Sequence, residues 1–173
     1  SDGSYILTRY KDLVGVYINF KVMSSDKRTE FGAKFGSSPL FEHHTTSVVF
    51  VDPPDHTRIR KIFQQAFTPK SILGLERNIN KLVDSYLVMM HAKKKFDFVS
   101  DFSFRLPVDV VCSVLGVPSE DRHLIRDWAH KILGALEPKL THKQFNEGSS
   151  AVLNFKQYLK AVSYTHLTLP TIA

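Results

Sequence analysis

Apolar residues recur three and four positions apart along most of this chain, a pattern that predicts helices joined by short polar connections. After a short strand expected at Ile6-Leu7-Thr8, the first helix should run from Tyr10 to about Phe20. Ile59, Ile62, Phe63, Ala66 and Phe67 mark one face of a second helix. Ile72, Leu75, Ile79, Leu82, Val83 and Tyr86 mark a longer one, with Thr68-Pro69 as its cap. The apolar run from Val108 to Leu115 should form a helix closed by Gly116. Ser119, Glu120 and Asp121 then open another, whose Leu124, Ile125, Trp128, Ile132 and Leu136 lead to a stop at Pro138. A last helix is expected from about Thr141 to Leu159, through Val152 and Phe155. Between Val22 and Val51 the periodicity fails: Gly and Ser are frequent and Phe31, Phe35, Phe41 and Phe50 are scattered. A long irregular loop is expected there, and such loops are usually functional or mobile. The fold class is mainly α.

Composition narrows the options without naming one. No apolar stretch approaches the roughly 18 residues that cross a bilayer, and no signal peptide is visible. A single cysteine rules out an internal disulfide framework and fits a reducing, cytoplasmic setting. The excess of 23 Lys+Arg over 17 Asp+Glu gives +6, which raises nucleic acid as a partner. The only dense basic run, Lys93-Lys94-Lys95, follows a helix C-terminus, where cations favour the dipole, and no aromatic and basic stripe accompanies it. No nucleic-acid partner is therefore expected. A helical binding module without catalysis remains the other reading.

The most informative stretch is Asp52-Pro53-Pro54-Asp55-His56-Thr57-Arg58-Ile59-Arg60. Asp52 is a good N-cap and Pro53 fits the first helical position. At about 100° per residue, His56 projects within the apolar arc of this helix and Arg60 lies at its border. Arg58, Lys61 and Gln65 point elsewhere. Two readings follow from the spacing alone. One is an exposed His/Arg pair of little consequence. In the other the pair meets the core, and a buried cation there needs an anion.

The stretch from Pro39 to Arg60, Pro-Leu-Phe-Glu-His-His-Thr-Thr-Ser-Val-Val-Phe-Val-Asp-Pro-Pro-Asp-His-Thr-Arg-Ile-Arg, followed by Ala66-Phe67-Thr68-Pro69, resembles the bacterial cytochromes P-450, the haem-thiolate monooxygenases. It matches their B–C loop and C helix. Tyr5 to Val16 is similar to the short strand and B helix that precede the haem pocket, and Phe96 to Pro118 to the E helix. The resemblance covers nearly everything from Tyr5 to about Leu159 and implies the N-terminal half of that fold, helices B to G. It implies that His56 and Arg60 hold a haem propionate, the missing anion. It also implies that Leu40, Phe41, Val48, Val49 and Phe50 contact an apolar organic substrate, and that the last two helices lid its channel. Haem iron, O2 and a ferredoxin or flavoprotein electron donor follow from the same likeness, with Arg58 and Lys61 as candidates for the donor's docking surface.

The family's cysteine loop, Phe-x-x-Gly-x-x-x-Cys-x-Gly, is absent, as are Glu-x-x-Arg and the oxygen-activating helix motif. Cys112 lies in an apolar helical run and reads as a core residue, not an iron ligand. The expected organisation is a partial catalytic domain over residues 1–161. The remaining residues 162–173, Ser-Tyr-Thr-His-Leu-Thr-Leu-Pro-Thr among them, resemble a translated sequencing adapter. The isolated polypeptide is expected to be inactive and prone to aggregate. His43, His44 and His56 do not make a metal site, since adjacent histidines point apart and no further ligand completes the set. Asp52 and Asp55 read as cap and first-turn dipole partner, not as an acid–base pair.

Overall fold

A computed structural model describes residues 5–166, which are helical with irregular connections and no strand. They divide into two compact bodies. One comprises the described residues up to Ser37 together with Phe41–Gln65, and the other comprises Ser38–Leu40 and the described residues from Ala66 onward. The strand expected at Ile6-Leu7-Thr8 is irregular chain instead. A strand needs a neighbour for its backbone hydrogen bonds, and the described residues offer none.

The first body begins with α1 (Tyr10–Ile18). The region expected to be one long loop contains two short helices, α2 (Arg28–Phe35) and α3 (Pro39–Thr45), and a 3-10 turn at Val48–Phe50. Rings supply what the weak local pattern lacks. Phe31 and Phe35, one turn apart on α2, are both buried and their centroids lie 5.3 Å apart. Phe50 meets Phe31 edge-on at 5.1 Å. Helix α4 (Asp55–Ala66) follows. It starts later than expected, with Pro53 and Pro54 in the preceding turn. Asp52 does not cap it with its side chain. The carboxylate instead accepts hydrogen bonds from the Ser24 hydroxyl and, at 2.9 Å, from the Ser25 N–H. These bonds hold its pKa below the ordinary carboxylate value and tie the chain before α2 to the start of α4.

The second body is built from α5 (Pro69–His91), α6 (Leu106–Val114), α7 (Arg122–Gly134) and α8 (His142–His166). Thr68 caps α5 as expected, its hydroxyl accepting from the Ser71 N–H at 3.2 Å. A single π-helical turn, Val99–Ser103, leads into α6. Gly116, at φ +71°, ends α6. There the Val117 N–H reaches back to the Cys112 carbonyl at 2.8 Å, the bond that closes a Schellman cap. Val117 is thereby buried with Cys112 and Ile125, under Val108, Trp128, Phe155 and Tyr158. Thr141 and Gln144 open α8 with a reciprocal capping box. This helix runs on to His166, past the end expected at Leu159. Of the tail beginning at residue 162, residues 167–173 lie outside the described residues.

Helices α7 and α8 form the most extensive pairing of this body. Gly148 permits it: a Cβ there would stand 3.3 Å from the Ala135 methyl and from both Leu40 methyls. Leu40, Ala135 and Val152 are all but fully buried around it. Gly148→Val should therefore destabilise the protein by about 1–3 kcal/mol through overpacking. A thermal melt reads this directly; an unchanged Tm would mean that the seam has room to give.

Candidate functional site

His56 and Arg60 stand one turn apart on α4, with about 6 Å of axial rise between their Cα atoms. His56 is half-buried, while Arg60 is exposed. Neither side chain has a hydrogen-bond or ion-pair partner among the described residues. Arg58, on the same helix, does: it pairs with Asp55 at 3.4 Å. The structure leaves both donors unengaged among the described residues, but the burial on which the demand for an anion rested is only partial at His56 and absent at Arg60.

The wall beside His56 is largely apolar. An open cleft of about 800 Å³ lies within the first body, lined by Leu13, Val16 and Tyr17 of α1, by Val49 and Phe50, and by His56, with Lys27 and Asp52 as the charged side chains in its lining. Of the five residues expected to contact substrate, Val49 and Phe50 share this cleft with His56, and Leu40, Phe41 and Val48 do not line it. Leu40 is fully buried and groups with the second body, and Phe41 lies 3.8 Å from the place of a Cβ on Gly32. Local pattern did not single out the α1 residues. Their three- and four-residue spacing marks a helix face, but nothing nearby in sequence says that the face fronts a cleft.

The apolar face expected on α4 is open among the described residues, with Ile62 and Phe63 half or more exposed. Cys112 is wholly buried, and burial pushes its thiol pKa up, as suits a core residue. His43 and His44, expected to point apart, instead meet edge-on with ring centroids 5.3 Å apart. No group of three or more His, Cys, Asp or Glu capable of holding a metal occurs among the described residues. In the lysine run, Lys93 is engaged by Asp101 at 2.7 Å, so part of that basic patch is already neutralised. No helix among the described residues is long and apolar enough to cross a membrane.

The donor set fits a carboxylate. A guanidinium offers a fork of N–H donors and an imidazole offers one more, beside apolar side chains that would accept a flat hydrophobic group. The propionate arm of a haem is such an anion on such a group.

No family model matches the chain. A cytochrome P450 of Priestia megaterium, CYP107DY1, is 32% identical over 146 residues, which cover 78% of this chain and 36% of that protein. Among solved structures, P450BioI in complex with an acyl carrier protein ligated to hexadec-9Z-enoic acid is similar with a TM-score of 0.70 at 28% identity, over 78% of this chain and 35% of that one. CalO2 gives a TM-score of 0.86 at 23% identity, over 94% of this chain and 41% of that one, a likeness of fold alone. The chain spans little more than a third of the length of the curated relatives it matches.

Proposed function

This chain belongs to the cytochrome P450 family, and from that premise we propose that it is the N-terminal part of a haem-thiolate monooxygenase acting on an apolar organic substrate. The observation that supports the reading is the pair His56 and Arg60 on α4, neither engaged by another side chain among the described residues, with His56 lining a largely apolar cleft. In this reading both side chains hold haem propionates, and the iron is ligated by a cysteine outside this segment. When bound, haem with a thiolate ligand supplies the activation of O2 that lets one oxygen atom enter the substrate.

The chain's own residues contribute binding and orientation. Arg60 neutralises a propionate, and His56 donates a hydrogen bond at the cleft wall. Val49 and Phe50 present an apolar surface at the cleft, which suits an apolar ligand. Helix α7 and the part of α8 up to residue 161 are the lid pair. Arg58 and Lys61 face a ferredoxin or flavoprotein electron donor in the cytoplasm, and residues 162–173 are a foreign tail with no part in function. The isolated segment is inactive, because it has no thiolate loop.

The uninterrupted reading frame decides this. The full-length product should be red and, once reduced, should show with carbon monoxide the shifted band of thiolate-ligated haem. A frame without a cysteine loop, or a full-length protein that takes up no haem, would overturn the reading.

A further inference from the structure

We propose that His44 positions Phe50, and through it the wall of the His56 cleft, so that the cleft rearranges when the imidazole gains a proton. His44 sits on α3 with only 3% of its surface exposed, and its Nε2 has no hydrogen-bond partner. Aromatic rings surround it. Phe31 and Phe35 of α2 each lie 5.5 Å away, centroid to centroid, and Phe50 stands edge-on at 6.0 Å. Phe50 also lines the cleft with His56, so one ring is shared between the histidine cage and the ligand wall.

This packing tolerates a neutral imidazole and penalises a charged one. An imidazolium in the cage would add a second N–H in need of an acceptor and a charge without a counter-ion. The groups that face it make matters worse. Phe31, Phe35 and Phe50 bring no charge, while the charged neighbours, Lys34 on α2 and His43 on α3, both oppose a further positive charge. Burial is the largest cause, and together these hold His44 at about 4, against an ordinary 6.5. The sign follows. An opened cage, with an ordinary imidazole, binds a proton before the closed one does. The closed arrangement is therefore fully favoured above pH 6.5 and loses ground as pH falls toward about 4. Across that window the closed-to-open ratio should fall by up to about 300-fold. A propionate or substrate held at the cleft would be released over the same range, a consequence that rests on the function proposed above, whereas the coupling of His44 to Phe50 does not.

The test uses the full-length protein with a single fluorine label on the Phe50 ring, and a second sample labelled on Phe155 of α8. The Phe50 fluorine resonance should shift reversibly between pH 6.5 and about 4, while that of Phe155 stays in place. The shift should vanish in His44→Leu. In the unsubstituted protein, the His44 ring carbon resonance should titrate with the same midpoint as the Phe50 label. A Phe50 label that does not respond, that responds equally in His44→Leu, or that moves together with Phe155 as in global unfolding would overturn the proposal, as would unequal midpoints. Haem content, read from visible absorption, reports separately on the functional reading, so the two can fail independently.

Discussion

Asp109→Ala should cost the protein about 3–5 kcal/mol. Asp109 is an acid inside the apolar run of α6, and it is buried. Its carboxylate accepts a hydrogen bond from the Tyr86 hydroxyl of α5 and, at 3.1 Å, from the Arg126 guanidinium of α7. Three helices are thus pinned at one point. Burial, then the bond to Asp109, pushes the Tyr86 hydroxyl pKa up to about 12, so tyrosine remains the donor. Removing the carboxylate leaves a cation whose side chain is only 18% exposed, and whose Nε already lacks a partner. That residual charge, more than the lost contact, sets the cost. The double variant Asp109→Leu/Arg126→Met should accordingly be less destabilised than Asp109→Ala alone. Urea denaturation of the three proteins measures this; a double variant worse than the single would mean that the pair contributes net attraction beyond its desolvation.

The second large effect concerns haem. Replacing Arg60 by Ala should weaken haem retention in the full-length protein by about 10- to 100-fold, the worth of a hydrogen bond to a charged group at 1.5–3 kcal/mol. Arg60→Lys should recover only part, because an ammonium keeps the charge and loses the fork. His56→Ala should have a smaller effect of the same sign. The double variant should lose haem faster than either, to apomyoglobin used as a scavenger. Haem loss at the unaltered rate in the double variant would show that α4 does not grip the cofactor.

Much of the second body was legible in advance, because its signals are local. Thr68-Pro69, Gly116 and the apolar stripe of α7 each specify a cap or a face within a few residues, and the structure uses them as such; of the α5 stripe only Tyr86 is buried, and Ile72 is 52% exposed. What failed to show were contacts between residues far apart in sequence. Asp52 reads as a cap, yet Ser24 and Ser25, 28 and 27 residues earlier, take its carboxylate. The helices α2 and α3 arise where Gly and Ser dilute the periodicity, and their stability comes from rings that meet only after folding. The same holds at the site. The spacing of His56 and Arg60 predicted two donors on one helix edge, but not the α1 residues that complete the cleft, nor the burial of His44. Asp109 gave no warning either: its partners lie 23 residues before it and 17 after.

The central claim is that His56 and Arg60 recognise a carboxylate arm of haem. The most direct measurement compares retention of native haem and of its propionate dimethyl ester, in the full-length protein and in His56→Ala/Arg60→Ala. The unsubstituted protein should hold native haem far longer than the ester, and the double variant should hold the two alike. A double variant that still prefers native haem as strongly as its parent would contradict the claim.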